Sequence, residues 1–178
     1  MSVPLKPQDL FVCLALTDRG PGPWTYAELG EELGLSASEA NKAVERAVAA
    51  GLLAPSTEPR GKPGPIRAAL LEFLIHGVRH AFFAQPGRMV RGMPTAYSAP
   101  PLSEQLRGGD EPPLVWPDVK GEQRGQAVEP LYPSVPDAAR RNPELYELLA
   151  LTDALRCGRA RERKLAVLEL GKRLADGR

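Results

Sequence analysis

Between Pro86 and Pro136 the chain places ten prolines and six glycines in 51 residues. Proline lacks the N–H that a helix interior or an inner strand must donate, and glycine loses much backbone freedom on ordering, so ordinary helix and central strand are excluded there. The stretch therefore divides the 178 residues into a part before it and a part after it. It also carries Met89, Val90, Met93, Tyr97, Leu102, Leu106, Leu114, Val115 and Trp116, more apolar anchors than a disordered linker retains. The expectation is an ordered connector over residues 84–136 that wraps on the rest, its anchors seated in grooves of this chain or of a partner subunit. Arg88 and Arg91, on either side of Met89 and Val90, leave open a short hairpin that adds to a basic surface.

The first 83 residues read as helices. In PQDLFVCLALTD, residues 7–18, Leu10, Phe11, Leu14 and Ala15 recur at helical spacing behind a first-turn proline, and DRGPGP stops the run. Thr25 with Glu28 forms a T-x-x-E capping box, in which hydroxyl and carboxylate satisfy each other's orphan backbone N–H groups. A helix follows to about Leu33 and breaks at Gly34. Ser36 with Glu39 repeats the box, and Gly51 closes the helix that it opens. On that third helix Ala37, Ala40, Val44, Ala47 and Val48 share an arc of about 100°, while Ser38, Asn41, Lys42, Glu45 and Ala49 share the opposite one. Asn pairs bidentately with adenine and Lys reaches guanine or a phosphate, so the second arc has the chemistry of a DNA recognition helix.

The stretch WTYAELGEELGLSASEANKAVERAVAAGLL, residues 24–53, resembles the helix-turn-helix of bacterial winged-helix transcriptional regulators. The resemblance implies that Ser36, Ser38, Asn41 and Lys42 face the major groove and that Leu52 and Leu53 begin a wing. Arg46, Arg60 and Lys62 would then hold phosphates, with P-R-G-K-P-G-P as a wing loop whose glycines admit a close backbone approach. This loop is poor in strand formers, so a truncated wing is expected. The alternative is a plain helical hairpin with a solvated polar face. Charge supports that alternative over residues 1–59, which are net −4, and is compensated directly afterwards by residues 60–107, which are net +5.

Residues 66–78, IRAALLEFLIHGV, are apolar round most of a helix and are expected to be buried, with a short strand from Arg79 to Phe83 as one continuation. Glu72, His76 and His80 are spaced to line one helix face, but Gly77 interrupts them and no fourth ligand is near, so no metal is expected. There is no G-x-S-x-G, P-loop or G-x-G-x-x-G, and the expectation is a chain without enzymatic activity or cofactor. Cys13 reads as a packing residue. Cys157, between Arg156 and Arg159, sits in basic surroundings that would lower its pKa unless it is buried. With two cysteines outside any Cys/His cluster, no apolar run near the ~18 residues of a membrane span and no secretory leader in residues 1–7, a cytoplasmic location is expected.

Beyond the proline-rich stretch, Asn142 and Pro143 open a helix with Leu145, Leu148, Leu149, Thr152 and Leu155 on one stripe. A further helix from about Ala160 to Ala175 carries Leu165, Val167, Leu168 and Leu174, and Arg156, Arg159, Arg161 and Arg163 form a candidate second basic patch. GRARERKLAVLELGKRL, residues 158–174, resembles the C-terminal part of small regulators of bacterial toxin–antitoxin and phage-defence operons. The expected fold is mainly α with a small β component: a winged-helix domain over residues 1–83, the connector, and a C-terminal helical hairpin over residues 137–178. The expected role is a sequence-specific regulator, a repressor, binding double-stranded DNA as a homodimer. The alternative is an antitoxin or adaptor that neutralises a partner protein through its proline-rich and C-terminal segments.

Overall fold

The computed structural model describes residues 3–106 and 109–175. Helix α1, Pro7–Arg19, keeps every residue from Asp9 to Thr17 out of solvent, so it runs through the interior rather than along one side of it. Helices α2, Tyr26–Leu33, and α3, Ala37–Ala49, start at the two capping boxes expected from sequence. Both end alike. Gly34 (φ 69°) and Gly51 (φ 75°) take left-handed conformations, and the next N–H reaches back five residues, Leu35 to the Gly30 carbonyl and Leu52 to the Ala47 carbonyl. Gly30 is required too: a Cβ there would stand 2.6 Å from the Leu35 carbonyl oxygen.

After α3, strand β1, Leu53–Ala54, pairs antiparallel with β2, Gly64–Pro65. The hairpin is as short as its lack of strand formers requires, and residues 55–63 form its loop. Helix α4, Arg67–His76, buries only Leu70 and Leu74 fully, so the expectation of an all-round buried helix is corrected to a half-covered one. Helix α5, Val78–Ala81, continues the chain where a strand over residues 79–83 had been a possibility.

The proline-rich stretch is not a strandless wrap. Strands β3, Met89–Pro94, β4, Leu114–Pro117, and β5, Gln123–Ala127, close on one another. β3 is antiparallel to both others, and a short parallel pairing of β4 with β5 completes the ring. Three strands can close only where side chains are missing from the inside. A Cβ on Gly92 would lie 2.0 Å from the Trp116 carbonyl oxygen, and one on Gly125 2.4 Å from that of Pro113. Between β3 and β4 lie a 3-10 turn, Ala96–Ser98, and helix α6, Leu102–Gln105.

Helix α7, Val135–Arg141, which the sequence reading passed over, packs on α2, and the Ser134 hydroxyl donates to the Leu33 carbonyl. Helix α8, Pro143–Cys157, starts at Asn142 as expected and buries Leu145 and every residue from Leu148 to Arg156. It is the second interior helix, touching α1, α5, α7 and α9, Ala160–Ala175. In α9 the buried stripe is Ala166, Leu170 and Leu174, whereas Leu168 is 54% exposed. One cluster of buried apolar side chains runs from Leu10 to Leu174 and takes in Leu102, Leu114 and Trp116 of the proline-rich stretch.

Candidate nucleic-acid interface

Helix α3 is held from behind by α1 and α2, while Ser38, Lys42, Glu45 and Ala49 face solvent. Asn41 lies half-buried between them and its amide donates to the Glu45 carboxylate at 3.2 Å. Ser36 is exposed but its hydroxyl already accepts the Glu39 N–H at 3.1 Å, so it works as the cap of α3. The returned bond, Ser36 N–H to Glu39, holds the Glu39 carboxyl below its ordinary pKa, and the same contacts at Thr25 hold Glu28 down.

Arg46, expected to hold a phosphate, is turned inward. Its guanidinium grips Asp9 with two bonds, 2.8 and 2.6 Å long, and the Asp9 carboxylate is fully buried at the start of α1, where it also accepts the Lys6 N–H. An Arg–carboxylate fork of this kind joins α1 to α3 and draws the guanidinium away from solvent, its side chain being 12% exposed. Asp9 was missed in the sequence because a first-turn acid reads as helix capping; only the packing of α3 on α1 reveals its second partner.

The residues expected on a wing part ways as well. Arg60 is exposed, whereas Lys62 is half-buried with its ammonium 4.3 Å from the Tyr26 ring centre and 5.7 Å from that of Trp24. The two rings meet edge to face with centres 5.2 Å apart, and Trp24 is almost fully buried. Lys62 thus pins the loop to the start of α2 through cation–π attraction. Burial raises the Tyr26 pKa, and the neighbouring Glu45 raises it further, so Tyr26 lies between the β1–β2 loop and the outer face of α3. The fold accordingly gathers Asn41, Glu45, Tyr26 and Lys62 and leaves Arg46 out. Trp24 and Tyr26 flank the first capping box, and that adjacency was the available signal for them.

The surface around α2 and α3 is acidic. Glu28, Glu31, Glu32, Glu39 and Glu45 are all exposed, against Lys42 as the exposed cation of these helices among the described residues. Arg19 offsets Glu32 at 2.6 Å. A groove of about 630 Å³ runs between α1, α2, α7 and the start of α8, lined by Asp18, Glu28, Glu31 and Glu32 against Arg19 and Arg141.

The second basic patch does not assemble. Arg156 is buried, donating to Asp153 at 2.7 Å and to the carbonyls of Phe82 and Glu129 at 2.8 and 3.0 Å. Arg159 is exposed but pairs with Glu111, Arg163 leans on the Gly158 carbonyl, and Arg161 is exposed as well. At Cys157 burial outweighs the basic surroundings: burial and the nearby Asp153 push its thiol up to about 12, overriding Arg156. Burial does the same to Cys13, also pushed up to about 12. Glu72, His76 and His80 are exposed on α4 and α5, and among the described residues no three His, Cys, Asp or Glu side chains gather as a metal site. No helix among the described residues is long and apolar enough to cross a membrane.

Compared with models of known families, with curated proteins and with solved structures, the chain gives no match in any of the three.

Proposed function

We propose that the chain is a sequence-specific DNA-binding regulator of the winged helix-turn-helix kind, acting in the cytoplasm as a repressor and as a homodimer on half-sites about one helical turn apart. The observation that carries the reading is the outer face of α3, where Ser38, Asn41, Lys42 and Glu45 are uncovered beside a hairpin loop pinned through Lys62. Asn41 exchanges its Glu45 partner for a base edge, Lys42 reaches guanine or a phosphate, and Arg60 takes a phosphate from the loop. Lys62 positions the loop, and Arg46 is structural.

The test is a salt-titrated anisotropy measurement on the duplex upstream of the gene against a shuffled duplex of equal length. Tight binding to the first with a steep salt slope, weakened several-fold by Lys42→Ala, supports the reading. A Lys42→Ala protein that binds its operator unchanged at every salt concentration removes α3 from the groove.

The acid surplus around α2 favours a second reading, an antitoxin or adaptor that binds a partner protein of basic surface. It predicts failure on both duplexes together with a stable complex, seen by sedimentation, with the product of a neighbouring gene. In neither reading does the chain carry out catalysis.

A further inference from the structure

The ladder between β3 and β5 sets Arg91 directly opposite Arg124. The Arg91 carbonyl is turned away from β5, because it accepts the Asp118 N–H beyond the end of β4 at 3.2 Å. In an antiparallel strand the N–H and C=O of one residue point the same way, so Arg91 and Arg124 form the non-hydrogen-bonded kind of pair, whose side chains approach most closely. Like charges in that position oppose the pairing of the strands. Both residues are exposed, and so is Arg88 at the entrance of β3. Among the described residues no carboxylate lies within ion-pair distance of any of the three, although ten such contacts are made elsewhere in the chain. Glu122, two residues before Arg124, is past the strand end and makes none of them.

The ring geometry forces this display. Gly92 and Gly125 turn their missing side chains inward against the Trp116 and Pro113 carbonyls, so the residues alternating with them, Arg91 and Arg124, must point outward. Met89, 45% exposed, and Gln126 extend the same outer face by one further cross-strand pair. The result is an outer strand face with two adjacent exposed guanidinium groups.

We infer that this outer face of β3 and β5 binds the phosphodiester backbone of nucleic acid, with Arg91 and Arg124 sharing adjacent phosphates. The phosphate class follows from three considerations. Guanidinium forks match phosphate oxygens bidentately. A bridging anion relieves the repulsion that the ladder otherwise carries. The surface is open and strand-like, suited to a repeating polyanion, and makes no base-reading contact. This binding is sequence-independent and does not need α3 to read bases.

The experiment uses the purified full chain, the upstream duplex, its shuffled counterpart and poly-glutamate as a carboxylate polyanion, each titrated with salt. The double variant R91Q/R124Q is expected to bind both duplexes about ten-fold more weakly at low salt and to lower the salt slope by about 1.8, the loss of two phosphate contacts. Its thermal midpoint should be equal to or above that of the parent, because a like-charge pair has been removed, and R91K/R124K should retain most of the affinity. Unchanged affinity and slope in R91Q/R124Q overturns the proposal, as does poly-glutamate binding as tight as the shuffled duplex. A chain that binds both duplexes equally and loses both with R91Q/R124Q retires the α3 reading and keeps this one. A chain that prefers its upstream duplex yet ignores R91Q/R124Q does the reverse.

Discussion

In α2 and α3 the groups that start each helix sit three residues from their partners, Thr25 with Glu28 and Ser36 with Glu39, whereas the β3–β5 ring is fastened from far along the chain. Its main fastening is one carboxylate of α8. Asp153, 1% exposed, accepts the Thr95 hydroxyl at 2.7 Å across 58 residues and the Trp116 indole N–H at 2.6 Å across 37. Its other oxygen takes Arg156, which in turn holds the Phe82 and Glu129 carbonyls. A single buried anion thereby gathers five segments, each supplying a donor or carbonyl that would otherwise be left dry. The helix pair carries its instructions locally, and the ring has none until α8 is in place.

The sharpest way to break that contrast is Asp153→Ala. It strands the Arg156 guanidinium and two donors in the interior and should cost about 4 kcal/mol by chemical denaturation. Amide exchange should speed up first across residues 89–127 while α2 and α3 keep their protection. Equal loss of protection in both would mean that ring and helix pair unfold as one unit.

Next in size, Arg46→Ala leaves Asp9 unpaired in the core and should cost about 3 kcal/mol, with a double-mutant cycle against Asp9→Ala showing strong coupling. This variant tests whether the helix pair is as local as its caps suggest, because the Asp9–Arg46 fork spans 37 residues. A loss below ~1 kcal/mol would show that α1 and α3 hold together by apolar packing alone.

Gly92→Ala should destabilise by about 2 kcal/mol, since its methyl cannot fit beside the Trp116 carbonyl, and should open the ring with little effect on α2 and α3. Near-UV circular dichroism of Trp116, held at 5.8 Å from the Tyr146 ring, reports the opening.

Smallest is the local effect. Ser36→Ala removes a cap worth about 1 kcal/mol. Glu39 is held below its ordinary pKa by the Ser36 contacts, so its share of stability is present above the usual carboxylate range and is lost as pH falls through the lowered value. Urea midpoints for Ser36→Ala should therefore decline less on acidification than those of the parent. The buried thiols add a control: with Cys13 and Cys157 both pushed up to about 12, neither should react with a disulfide reagent at neutral pH until the chain unfolds.

How much was legible follows the same division. The ends of α1, α2, α3 and α9 and the start of α8 were readable because caps, first-turn prolines and closing glycines act within one turn of the chain. On the candidate interface, the exposure of Ser38, Lys42 and Glu45 followed from the helical wheel. Arg46 and Arg156 did not, because an arginine on a helix rim looks the same whether it meets solvent or a buried aspartate. The buried side of α9 was not legible for a related reason: its leucines spread round the helix, and only its packing on α4 and α8 selects Ala166, Leu170 and Leu174.

By itself, then, the sequence determined the ends of α1, α2, α3 and α9 and the start of α8, the shortness of the hairpin after α3 and the acid-to-base shift along the chain, since each depends on neighbours or on composition. The tertiary structure alone decided that proline-rich residues close a three-stranded ring, that Asp9 of α1 holds Arg46 and Asp153 of α8 holds Arg156, and that Arg91 meets Arg124. Those outcomes rest on partners tens of residues away, whose approach is settled by burial and loop closure rather than by local preference.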